Sequence, residues 1–211
     1  VYVEYKPLDG NVMTINPISE QIILTFSTSQ PPPKGKYSVM AIVQTGDIRK
    51  DYIVILMDSN GGLNLTLQRD TAATAHLNRN YADGERHLLT YTRKKLGLSK
   101  SHVMDLQVDA NPKVEMFPAN TFDLSELTAI FLGGGVYTPF PDSAHWIGYT
   151  GCLSTVRYTQ NAFDGTDTVD YRPLEALYGY EQKKGAVKNV NGNVGHEKQC
   201  AQPVVVIPPE P

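Results

Sequence analysis

Two cysteines, five histidines and one tryptophan are among the rarer side chains of this 211-residue sequence. Two thiols are too few for a zinc site without help, and the histidines (His76, His87, His102, His145, His196) are scattered rather than clustered. No apolar run approaches the ~20 residues that span a bilayer. Charge of one sign is also lacking. The 19 basic and 22 acidic residues leave a net charge of −3, so no basic field draws nucleic acid or an anionic membrane. No long stretch spaces its apolar residues with a period of 3.6, which argues against a helical fold. No leader-like segment precedes the strand-like Val1-Tyr-Val-Glu-Tyr5. The chain is therefore expected to be a soluble piece, of the kind excised from a longer protein.

Signatures of catalysis are missing too. Ser154 lies in Cys-Leu-Ser-Thr, without a Gly-x-Ser-x-Gly elbow. Gly133-Gly-Gly135 is not followed by a helix carrying Gly-Lys-Ser/Thr, so it is no phosphate loop. Asp105 and Asp109 are too far apart along a strand to work as acid and base. A glycoside hydrolase would need two carboxylates on one concave face, and the sequence does not present them. No enzyme is expected.

What is there is a succession of short β-prone runs. Ile22-Ile-Leu-Thr-Phe26 is β-branched and aromatic, and residues 37–44 and 52–57 are similar. Ser59-Asn-Gly-Gly62 is a hairpin signal joining 52–57 to 63–67, where Leu63, Leu65 and Leu67 alternate with Asn64 and Thr66. Further runs at 12–15, 87–91, 104–108, 113–117, 127–132 and 152–158 are punctuated by Gly, Asn, Asp and Pro. A short helix is expected at 173–178, then a Gly/Asn/Lys-rich tail. The fold class is all-β: a two-sheet antiparallel β-sandwich. Residues 1–200 form the domain and the proline-rich 201–211 begin a linker. Cys152, at the head of a late strand, is expected to bond Cys200, whose polar surroundings would leave a free thiol exposed. Closing a loop of roughly fifty residues contributes on the order of 4 kcal/mol.

The order of six segments carries a resemblance. They are Asp51-Tyr-Ile-Val-Ile-Leu56, Gly62-Leu-Asn-Leu65, Ala82-Asp-Gly-Glu-Arg-His87, Leu106-Gln-Val-Asp109, Ile130-Phe-Leu-Gly-Gly134 and Gly151-Cys-Leu-Ser-Thr-Val-Arg-Tyr158. In this order, over residues 20 to 200, the chain resembles a laminin G-like (LNS) domain of the neurexin type. The run from Leu106 through Pro112, Glu115 and Phe117-Pro-Ala119 is similar to a neurexin's membrane-proximal LNS domain. The resemblance implies a jelly-roll sandwich that binds through loops at one rim, here residues 45–50, 70–75, 118–125 and 159–163. It implies an extracellular adhesion module of a single-pass cell-surface receptor, with a neuroligin-like synaptic partner. It also implies a weakly held calcium ion. The ligands carried over are Asp70, the carbonyl of Leu88, a carbonyl near Asp123, and Ser125 where the family pattern has an amide.

Other features admit two readings each. Asn64-Leu-Thr66 is a glycosylation sequon, and Asn64 falls on the face opposite the leucines. Arg93, Lys94, Lys95 and Lys100 form a basic loop that is either a solvated hairpin tip or a site for a sulfated glycan such as heparin. His87 is expected to be structural, and Trp146 to pack beneath the Cys152 turn or anchor a partner. The leading expectation is protein recognition through the rim, and the alternative is glycan binding through the basic loop.

Overall fold

A computed structural model describes residues 2–7, 19–45, 52–68, 72–95, 102–117, 127–135, 140, 143–160, 167–171, 181–182 and 185–190. The strands are β1 (Tyr2–Pro7), β2 (Ser19–Ser27), β3 (Tyr37–Thr45), β4 (Tyr52–Met57), β5 (Leu63–Gln68), β6 (Ala72–Leu77), β7 (His87–Lys95) and β8 (His102–Val108). They continue with β9 (Val114–Met116), β10 (Leu127–Leu132), β11 (Trp146–Gly148), β12 (Cys152–Gln160), β13 (Asp167–Tyr171), β14 (Glu181–Gln182) and β15 (Gly185–Val190). The one helical segment among the described residues is a 3-10 turn at Ser143–His145.

Two sheets result. The larger runs β14-β15-β1-β10-β3-β4-β5-β6, with β11 attached to β3, and the smaller runs β13-β12-β2-β7-β8-β9. Every described pairing is antiparallel except β11 with β3. The expected two-sheet antiparallel sandwich is therefore the fold.

The core lies between the sheets. Ile53, Ile55, Met57, Leu63, Leu65, Leu67 and Ile130 of the larger sheet meet Ile22, Leu24, Phe26, Leu89, Tyr91, Met104, Leu106 and Val108 of the smaller. The period-2 pattern of β5 is visible in its burial, with Leu63, Leu65 and Leu67 inward and Asn64, Thr66 and Gln68 half-buried. β4 is instead buried on both faces. Its second face, Tyr52, Val54 and Leu56, packs with Phe131, Phe140 and Trp146 in a separate cluster outside the sandwich. A strand buried on both faces reads as the continuous apolar run Tyr-Ile-Val-Ile-Leu-Met.

Several expectations need correction. Trp146 does not pack beneath the Cys152 turn. It caps the outer cluster, with its ring centroid 6.1 Å from Tyr52 and 5.8 Å from Phe140. Part of the Gly/Asn/Lys-rich tail is β15, a full partner of β1 from Tyr2–Val190 to Pro7–Gly185. Residues 72–75, assigned to a rim loop, belong to β6, which pairs with β5 along its whole length. Arg93 through Lys95 belong to β7 rather than to a loop. The expected run at 12–15 and the helix at 173–178 lie outside the described residues.

Candidate functional site

Cross-strand register sorts the strand ends into two rims. In the larger sheet, Leu127 faces Thr45, Gln44 faces Tyr52, Tyr52 faces Gln68, and Gln68 faces Ala72. At the other end of the same strands Ser38 faces Met57, Met57 faces Leu63, and Leu63 faces Leu77. The smaller sheet is oriented by Tyr81, whose N–H donates to Gly61 O at 2.9 Å and whose ring lies 5.3 Å from that of His87. His87 therefore sits at the Met57–Leu63 end, and β7 runs from there to Lys95 at the Gln68 end. Gln160, Glu20, Arg93, Met104 and Met116 face one another in turn across the smaller sheet at this Gln68 end.

The strand ends flanking all four expected rim segments thus share one end of the sandwich. Thr45 leads into 46–50, Gln68 and Ala72 bracket 69–71, Phe117 and Leu127 bracket 118–126, and Gln160 leads into 161–163. The same end carries Lys94, whose side chain is exposed, and Phe117, which is 66% exposed.

Beneath this end lies a buried polar layer. Arg93 and Glu20 are both fully buried, and Arg93 Nε donates to Glu20 Oε1 at 2.9 Å. Tyr91 Oη donates to the same oxygen at 3.0 Å, and Arg93 Nη1 lies 3.2 Å from His102 Nδ1. Arg93 is therefore no member of a surface basic cluster. Its parity with Leu89 and Tyr91 turns it into the core, where a carboxylate offsets the cost of burying a guanidinium. Lys94 remains as the outward cation of the run, Lys95 lies on the end of the strand, and Lys100 is outside the described residues.

The opposite end is a second charged assembly. His87 Nδ1 lies 2.8 Å from Asp109 Oδ2, and its Nε2 lies 2.9 Å from Asp83 Oδ1. A carboxylate against each nitrogen favours the imidazolium form, in which both ring nitrogens donate. Burial pulls its pKa down, but the bonds to Asp109 and Asp83 and their charges outweigh this, and the pKa is raised. Burial pushes the Asp83 carboxyl up, and the His87 hydrogen bond and charge overcome that and lower it. Asp109 takes a left-handed backbone, φ 54°, and its Oδ1 accepts the Leu88 N–H at 2.8 Å. Nearby, Thr28 Oγ1 donates to Thr150 O at 2.7 Å and Tyr149 Oη donates to Ser27 O at 2.9 Å, fixing the turn ahead of Cys152.

This geometry breaks up the expected calcium set. Leu88 lies at the His87 end, and its carbonyl accepts the Asp109 N–H at 2.8 Å. Gln68 and Leu127, which flank the segments carrying Asp70, Asp123 and Ser125, lie at the other end. Those three residues are outside the described residues, and no metal-binding cluster occurs among the described ones. Cys152 is disulfide-bonded, while Cys200 lies outside the described residues. Glu20, His102, Asp83 and Asp109 do not stand out as site residues in the sequence. The available signal is parity: Glu20 is in step with Ile22, Leu24 and Phe26, and must point inward if they do.

Known proteins fit this architecture. The family model described as laminin G domain matches residues 36–161, more than half of the chain. Contactin-associated protein 1 of Rattus norvegicus is 27% identical over 205 residues, covering 92% of this chain and 14% of its own length. The Homo sapiens protein of that name is also 27% identical, with 92% and 13% covered. The chain thus spans about one seventh of these relatives. Among solved structures, mouse laminin alpha1 chain domains LG4-5 match with a TM-score of 0.52 at 18% identity, covering 81% of this chain and 44% of that one, which shows the shared fold. The chain belongs to the laminin G domain family.

Proposed function

We propose that this domain is an extracellular recognition module of a cell-surface adhesion receptor, binding a protein partner through the Gln68 end of its sandwich. One observation carries the reading: the strand ends that flank all four expected recognition segments lie at that end, above a buried Glu20–Arg93 pair. Rigid strand ends presenting variable loops are a general recognition architecture. The neurexin-like resemblance suggests a neuroligin-like partner, and the relatives' name, contactin-associated, suggests contactin. The disulfide at Cys152, which we pair with Cys200, fits an oxidising compartment. Calcium, if the module uses it, binds at this same end through Asp70, Asp123 and Ser125, without Leu88.

The second reading is a sulfated glycan at Lys94, Lys95 and Lys100, favoured by the exposure of Lys94 at the same end. One experiment separates the two. The chain is immobilised and exposed to neuroligin ectodomain, contactin ectodomain and heparin, with and without Lys94→Glu/Lys100→Glu. Saturable binding of either ectodomain that survives the charge swap supports protein recognition. Binding of heparin alone, abolished by the swap and by salt, supports the glycan reading. No binding of any of the three defeats both.

A further inference from the structure

We infer that Asn64 carries an N-linked glycan in the mature protein, and that this glycan shields the β6 edge, to which no described strand hydrogen-bonds, while leaving the Gln68 end open. The inference uses the extracellular reading above only for passage through the secretory pathway, for which the disulfide at Cys152 is independent support.

Three observations carry it. Asn64-Leu-Thr66 is a complete acceptor sequence. β5 turns Asn64 outward, opposite the fully buried Leu63 and Leu65, and leaves it partly exposed. Thr66, on the same face, also points outward, its Oγ1 lying 3.3 Å from Thr74 Oγ1. A glycan on Asn64 therefore displaces nothing from the core.

The third observation is the neighbour. β6 is the last strand of the larger sheet; β9 of the smaller sheet lies alongside it, but among the described residues no strand hydrogen-bonds to its outer edge. Its sequence, Ala-Ala-Thr-Ala-His-Leu, contains no lysine, no proline and no acidic residue. An uncharged, regular edge strand is a template for pairing with a second chain, and proteins ordinarily blunt such edges. Asn64 faces His76 of β6 directly. The edge is thus one strand spacing away, about 4.8 Å, well within the sweep of a branched oligosaccharide. Asn64 is four residues from Gln68, roughly 13 Å along the strand. A glycan there is set back from the recognition end.

The chain is secreted from mammalian cells and the Asn64 peptide is read by mass spectrometry before and after peptide-N-glycosidase treatment. The expected result is a hexosamine-bearing peptide in the wild type and in Thr66→Ser, lost in Thr66→Ala. An unmodified Asn64 in the secreted wild type overturns the assignment, and that reading needs no variant to fold. Sedimentation of the enzymatically deglycosylated wild type tests the shielding. Concentration-dependent self-association, reversed when Thr74→Lys places a charge on β6, is expected. A deglycosylated protein that stays monomeric at every concentration overturns the shielding role.

Discussion

His87 shows how much one ring can tie together. It joins the Asp83 loop to the Asp109 turn through two carboxylates while packing on Phe26 at 5.4 Å and Tyr81 at 5.3 Å. Its raised pKa fixes the sign of the pH response. The stabilisation is complete below the ordinary histidine value of 6.5 and fades as pH rises through the folded-state value. Asp83, with a lowered pKa, contributes above its ordinary 3.8 and loses that contribution as pH falls through its own folded-state value. His87→Gln should therefore cost about 2 kcal/mol in urea unfolding near pH 5.5, and distinctly less near pH 9. A cost independent of pH would mean that the ring acts by shape alone. Arg93 makes a different case. Arg93→Met leaves the buried Glu20 carboxylate without its cation and should cost about 3–5 kcal/mol. Adding Glu20→Gln should recover much of that loss, since a neutral amide needs no counter-charge. Without recovery, the pair is not the source of the cost.

At the scale of the element, the β4–β5 hairpin rests on Gly61. Its φ is 78°, and a side chain there would collide with Asn80 Oδ1. Asp58 Oδ1 closes the turn by accepting the Asn60 and Gly62 N–H groups at 2.8 and 3.0 Å. Gly61→Ala should destabilise the fold by more than the ~1 kcal/mol of backbone strain alone, read as a fall in thermal midpoint. Trp146→Ala should cost about 3–5 kcal/mol, because it removes the large ring that caps the outer cluster.

These elements also show what the sequence can disclose. β2, β3, β4, β5 and β10 are legible because each concentrates branched or alternating apolar residues, and the Asn60-Gly61 signal sets the hairpin. β6 and β15 are not. Ala-Ala-Thr-Ala and Gly-Ala-Val-Lys-Asn-Val have little intrinsic strand preference and are held by the neighbours they pair with. Arg93 misleads for a related reason. Three cations in a row look like a surface loop until the strand's parity is extended through them, and parity sends the first inward. The Leu88 ligand fails at longer range, because sequence order does not reveal which strand ends share a rim.

At the scale of the whole molecule, the sandwich has two unlike ends, and the proposed recognition belongs to one of them. The His87 end is closed by short hydrogen bonds from Thr28 to Thr150, Tyr81 to Gly61, Asp109 to Leu88 and Tyr149 to Ser27. The Gln68 end presents Lys94 and Phe117 over a buried ion pair. Calorimetric titration of calcium into chelator-stripped protein should give saturable heat that Asp70→Ala removes and that no change near Leu88 affects. An unchanged titration in Asp70→Ala would take the ion away from this end.

The most direct test compares the two ends on one binding curve. Whichever of neuroligin ectodomain, contactin ectodomain or heparin binds the chain is titrated against two surface variants. One is Lys94→Glu with Phe117→Ser at the Gln68 end, and the other is Glu85→Lys with Arg86→Glu at the His87 end. Recognition at the Gln68 end predicts at least a tenfold loss of affinity for the first, about 1.4 kcal/mol, and an unchanged curve for the second. A loss confined to the second variant would contradict it, and would place recognition at the end held together by His87.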